Sequence, residues 1–123
     1  MTVLDTSALI DFLVDGPLAK RVEHLLAEGS AAVSAISVYE LLAGVTSKKH
    51  QRERRDLLTL VRVIEVDGET AIRAAGLFTA LRQTGLTVDN EDLLVAATAL
   101  RAEAALLTAN TGHFDRISGL LLA

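Results

Sequence analysis

Cysteine is absent from this chain of 123 residues. That excludes disulfides, thiolate metal sites and cysteine nucleophiles, and it is compatible with a reducing cytoplasm. Aromatic residues make up only 3% of the chain, so any core must be built from Leu, Val, Ile and Ala. An excess of positive charge is also missing. The formal net charge is −4, so there is no bulk basic field to grip nucleic acid. Nucleic-acid binding would need local basic patches, or metal ions that offset the acids. No segment approaches the ~20 apolar residues of a membrane span. The start, Met-Thr-Val-Leu, reaches Asp5 with no basic stretch ahead of an apolar run, so no signal peptide is expected.

What is present is apolar bulk. Half of the residues are hydrophobic, and the length fits one domain of ~100–150 residues. A domain of this size buries roughly two thirds of its unfolded surface. A single domain over residues 1–123 is expected.

Short β-branched or apolar stretches at 2–4, 31–35, 63–66 and 105–107 are strand candidates, with a terminal edge strand at 120–122. Between them, residues 7–13, 18–27, 48–62 and 69–84 carry helical apolar spacing. Ser37-Val38-Tyr39-Glu40 reads as the opening of a further helix that ends near Gly44. Residues 89–104 are apolar nearly all round, which argues for central burial. Residues 108–114 read as a loop or short turn. Asp15-Gly16-Pro17, Gly29 and Gly85 are breaks. Alternating strands and helices predict right-handed βαβ units and a parallel sheet covered by helices.

In open parallel sheets, ligands sit beyond the carboxyl ends of the strands. Asp5 ends the first strand candidate and Asn110 follows the fourth. Glu40 and Asp92 each read as lying in the first turn of a helix. Acids far apart in sequence but gathered at one sheet edge suit a hard divalent cation that keeps several waters and leaves room for phosphate. Such ions assist phosphodiester hydrolysis by activating water and neutralising the departing oxygen.

Each acid also has a purely structural alternative. Asp5 can cap the first helix. Glu40 stands three residues after Ser37, the spacing of a capping box. Asp92 can complement a helix dipole. The three histidines, His24, His50 and His113, lack a metal-ligand spacing. The densest basic run, Lys48-Lys49-His50-Gln51-Arg52 with Arg54 and Arg55, is interrupted by Glu53 and Asp56 and reads as a solvated helix face before an RNA contact.

Four segments carry a family resemblance. Val3-Leu4-Asp5-Thr6-Ser7 resembles the opening of PIN domains. The stretch from Ser37 to Gly44, with its acid at Glu40, resembles their second motif. Asp92-Leu93-Leu94-Val95-Ala96-Ala97 resembles the third, and Leu107-Thr108-Ala109-Asn110 followed by His113-Phe114 resembles the fourth. The order and spacing hold from residue 3 to about residue 120.

The resemblance implies a three-layer α/β/α fold with a central parallel sheet of four or five short strands. It implies an endoribonuclease dependent on Mg²⁺ or Mn²⁺, cutting RNA through a metal-activated water. Asp5, Glu40, Asp92 and Asn110 would be its site, with Asp5 and Asp92 the first metal ligands. Thr6, Ser7 and Thr108 would support them. The length resembles VapC toxins, which implies a cytoplasmic homodimer inhibited by a small antitoxin protein. Two positions depart from the pattern. The fourth position is often acidic in the family and here is the neutral Asn110. The residue before the phenylalanine is often Asp and here is His113. Both place a second metal in question, with Asp89 and Asp115 as nearby acids. A PIN domain that binds RNA or a partner without cutting is the alternative. A receiver-type phosphoacceptor domain fits poorly, since Lys20, Lys48 and Lys49 all lie in the first half of the chain.

Overall fold

The computed structural model describes residues 1–123. The chain runs β1 (Thr2–Leu4), α1 (Thr6–Leu13), α2 (Ala19–Glu28), β2 (Ala31–Ser34), α3 (Ala35–Leu42), α4 (Lys48–Leu58), β3 (Arg62–Ile64), α5 (Gly68–Gln83), α6 (Asn90–Arg101), β4 (Ala105–Leu107) and α7 (Thr111–Phe114). The four strands form one sheet in the order β3-β2-β1-β4, and every pairing is parallel. The expected fifth strand is reduced to one bridge, between Leu106 and Leu122.

The strands are short, and alternation along them divides the core in two. Val3, Ala32 and Leu106 face a cluster completed by Ala74, Leu81, Leu93, Phe114 and Ile117 from the α5–α7 side. Leu4, Val33 and Leu107 face the other way, onto Leu9, Val22, Leu41 and Leu57 from α1 to α4. This is the period-two geometry of a pleated strand with both faces covered. Each fully buried Leu contributes roughly 1.5–3 kcal/mol by leaving water. The helix α6 lies against the first of these faces. Val95, Ala96, Ala97, Thr98 and Ala99 are all buried, as a helix apolar nearly all round requires.

Local chemistry sets the joints. Gly29 closes α2 at φ 69°, while Ser30 N–H returns to the Leu25 carbonyl. A residue with a Cβ adopts that left-handed conformation only at a cost. Asp67 caps α5 by accepting from Thr70 N–H at 2.9 Å and also takes the Arg101 guanidinium at 2.7 Å, which ties α5 to α6. No helix is long and apolar enough to cross a membrane.

Two expected elements differ. Helix α3 begins at Ala35, not at Ser37, because Ser34 is the cap: its Oγ accepts from Ile36 N–H at 3.2 Å. Glu40 therefore lies in the second turn, and the capping-box alternative falls away. Helix α4 stops at Leu58, because β3 begins at Arg62 in register with Ala32.

Candidate functional site

The register of the sheet assembles the site. Leu4 pairs with Leu107, so the residues that follow them, Asp5 and Thr108, emerge side by side at the carboxyl end of the central strands. Asp5 N–H donates to the Leu107 carbonyl at 2.9 Å, which holds the chain at that point. Asp5 is 4% exposed. It occupies the cap position of α1 but makes no side-chain cap bond. Its Oδ2 instead accepts from Ser7 Oγ at 2.9 Å and from Thr108 Oγ1 at 2.8 Å. Those hydroxyls are themselves positioned: Ala109 N–H donates to Ser7 Oγ and Asn110 N–H to Thr108 Oγ1, each at 3.0 Å.

Glu40 approaches from α3, where Thr6 Oγ1 donates to its Oε1 at 2.8 Å. Burial pushes its carboxyl above the usual range. The Thr6 bond pulls it back, and the charges of Asp5 and Glu91 push it up again. Asp92 stands in the first turn of α6 and is half-buried. Burial raises its carboxyl too, with a contribution from Asp5, while His113 offsets part of the shift. The His113 Nδ1 lies 3.3 Å from Asp92 Oδ2. The position of α6 is set beneath by a buried bond from Thr98 Oγ1 to Ser34 Oγ at 3.2 Å, which links α6 to the end of β2.

A common arrangement runs through the three acids. Each has one oxygen beside a protein group, donating hydroxyls for Asp5 and Glu40 and the His113 imidazole for Asp92, and no protein group donates to the other. Asp5 acts electrostatically on both Glu40 and Asp92, so the three share one field. They do not close into a preformed cage of three direct ligands. An all-oxygen donor set of this kind, with spare oxygens and backed by hydroxyls, fits a magnesium-like ion that keeps much of its water.

Asn110 is placed at this edge through its backbone. Its exposed side chain makes no cap bond to α7 and no hydrogen bond to the acids. Asp115 is exposed at the end of α7. Asp89 precedes α6 without a side-chain cap bond and, with Asp92, lines a polar cavity of about 130 Å³ that also includes Thr87, Val88, His113 and Arg116. Sequence reasoning missed the contact of His113 with Asp92, the Glu91 charge near Glu40, and Arg116. His113 lies in α7 and Arg116 in the turn that follows it, three residues on, and both line the same cavity. Arg54, in the basic run, donates to the Leu41 carbonyl at 2.6 Å and serves the end of α3.

Comparison with known proteins follows the same outline. Residues 2–120 match the family described as PIN domain. The chain is 30% identical to "Ribonuclease VapC1" of Methanocaldococcus jannaschii over 94% of its own length and 79% of that protein. It is 26% identical to "tRNA(fMet)-specific endonuclease VapC" of Shigella flexneri over 96% of its length and 92% of that protein. Among solved structures, VapBC2 of Rickettsia felis bound to a promoter DNA fragment superposes with a TM-score of 0.85 at 27% identity, covering 99% of this chain and 96% of that one. VapBC-1 of nontypeable Haemophilus influenzae superposes with a TM-score of 0.83 at 27% identity, covering the same shares of the two chains.

Proposed function

The chain belongs to the PIN-domain family and, within it, to the VapC-type toxins, and from that premise we propose that it is an endoribonuclease dependent on Mg²⁺ or Mn²⁺, held in check by a small antitoxin. The observation that carries the reading is the trio of Asp5, Glu40 and Asp92 at one sheet edge, each with one oxygen beside a protein group and one free. The ribonuclease and endonuclease names of the relatives support RNA as the substrate. The VapBC complexes among the structural neighbours support the antitoxin.

When bound, a divalent cation supplies charge neutralisation at the phosphate and a more acidic attacking water. Asp5 and Asp92 would hold it, with Glu40 completing the site or orienting water. Ser7 and Thr108 hold Oδ2 of the Asp5 carboxylate, which leaves Oδ1 for the ion. Thr6 likewise holds Oε1 of Glu40. Asn110 contributes its N–H to Thr108 and places no negative charge, which favours one tightly held ion over two. Exposed apolar side chains, among them Val14, Tyr39, Leu60 and Ile72, leave surface for an antitoxin and for a second copy of the chain. The expected compartment is the cytoplasm.

The test is cleavage of an RNA mixture by the purified protein. Cleavage with Mg²⁺ or Mn²⁺ that stops in EDTA and in Asp5→Asn, leaving 5′-phosphate ends, is the expected result. Full activity in EDTA, or 2′,3′-cyclic phosphate ends, would overturn the mechanism. Tight RNA binding without cleavage would favour a non-cutting PIN domain, the reading that the neutral Asn110 supports.

A further inference from the structure

The acids of the site leave one question open. A polyanion must approach three carboxylates on a chain whose net charge is −4. Cationic side chains near the site are few. The basic run of α4 begins after Gly44, and its Arg54 is committed to a helix-end carbonyl. Arg101 is paired with Asp67. Arg116 is different. It lines the same small cavity as Asp92 and His113, yet it forms no ion pair. Its Nη1 donates to the Thr87 carbonyl at 3.3 Å, a long bond to a neutral acceptor. A guanidinium carries five donors, so most of its hydrogen-bonding capacity is unused.

Its placement is built rather than accidental. Arg116 lies between Phe114 and Ile117, which are 1% and 4% exposed and belong to the core cluster under α5 and α6. These two anchors hold the backbone on either side of it. The Thr87 contact then ties the side chain to the loop that leads into α6. Asp89 lines the same cavity without closing on Arg116 as an ion pair.

We propose that the cavity formed by Thr87, Asp89, Asp92, His113 and Arg116 is a phosphate subsite for single-stranded RNA, in which Arg116 holds the phosphate next to the one being cut. The subsite rests on the nuclease reading above and deepens it. An arginine fork matches two phosphate oxygens at once. The cavity, at about 130 Å³, accommodates a phosphate and its waters. Its position beside Asp92 sets the neighbouring phosphodiester over the carboxylates, so Arg116 acts as a positioning residue and takes no part in bond breaking.

The experiment measures binding and cleavage separately. Binding uses a single-stranded RNA of about ten nucleotides, within the usual range of site sizes, on Asp5→Asn protein in EDTA, with and without Arg116→Ala. Arg116→Ala should weaken binding about tenfold at low salt and reduce the slope of log affinity against log salt by about 0.7, the value for one lost contact to a single strand. In otherwise wild-type protein with Mg²⁺, it should raise KM and leave kcat and the melting temperature nearly unchanged. Arg116→Lys should restore part of the affinity, because it returns the charge without the fork. Unchanged affinity and slope in Arg116→Ala would overturn the subsite. So would a variant that binds RNA normally and loses affinity only for the antitoxin. If the wild-type protein cleaves no RNA but Arg116→Ala still lowers affinity and slope, the subsite stands and the nuclease reading fails.

Discussion

Thr108 donates its hydroxyl to Asp5 at 2.8 Å across 103 positions of sequence. The pairing of Leu4 with Leu107 makes this contact possible, since it brings the ends of β1 and β4 level. The hydroxyl leaves the second oxygen of Asp5 without a protein donor. A structural bond and the orientation of the site thus depend on the same side chain.

Removing that hydroxyl should therefore cost both stability and activity. Thr108→Val leaves a nearly isosteric side chain and deletes a bond to a charged acceptor, an interaction that contributes roughly 1.5–3 kcal/mol. Chemical denaturation should show a loss within that range. RNA cleavage should fall about 10–100-fold, the usual effect of removing support behind a metal ligand. Wild-type cleavage by Thr108→Val would show that Ser7 alone orients Asp5.

Thr6→Ala acts on Glu40. Burial already raises the Glu40 carboxyl, and the Thr6 hydroxyl is what draws it back. Without that hydroxyl the carboxyl should rise further. If catalysis needs ionised Glu40, the acidic limb of the pH profile of kcat/KM should move to higher pH. A limb that stays in place in Thr6→Ala would remove Glu40 ionisation from the rate law.

The apo protein should carry an electrostatic penalty at Asp92. Burial and then Asp5 raise its carboxyl, so above the ordinary carboxylate value the folded state holds a proton that the unfolded chain has released. Stability from this group falls as pH rises through that window, and the penalty is complete above the raised folded value. Asp67, held low by its bonds from Thr70, contributes with the opposite sign, and its share is lost as pH falls. In EDTA near neutral pH, Asp92→Asn should melt no lower than the wild type, and its advantage should shrink as pH drops. Mg²⁺ should raise the wild-type melting temperature more than that of the variant, with ~2.7 kcal/mol available at a hundredfold excess over Kd. An intact Mg²⁺ response in Asp92→Asn, together with lower stability in EDTA, would make Asp92 a helix-terminal residue and not a ligand.

Phe114→Ala tests the support under His113 and Arg116. Phe114 is 1% exposed in the α5–α7 core, and a Phe→Ala change at such a site costs about 3–5 kcal/mol. The melting temperature should drop sharply. In the surviving folded protein, KM for RNA should rise, because α7 no longer holds its side chains against Asp92. A stable variant with unchanged KM would separate α7 from substrate binding.

Much of this protein is written locally. The apolar runs at 2–4 and 105–107 mark two strands that the structure keeps with the same bounds. The uniform apolar character of 93–100 marks the buried helix, because a side chain's preference for burial does not depend on knowing its neighbour. Asp5 at the end of a strand, and Asp92 at the start of a helix, follow from the same local patterns. The start of α3 does not. Ser34 and Ser37 are both acceptable caps, and the choice falls to Ser34 because β2 ends there when it pairs with β1 and β3 and because Thr98 donates to that hydroxyl. The resemblance marks Thr6, Ser7 and Thr108 as supports of the acids, but which hydroxyl meets which carboxylate is decided in the fold. Thr108 meets Asp5, Thr6 meets Glu40, and His113 meets Asp92 only once sheet register and helix phase have set residues up to 103 positions apart within 3.3 Å of each other. Local propensity has a range of a few residues, whereas a carboxylate's protonation and orientation depend on whichever donors the packed chain brings to it.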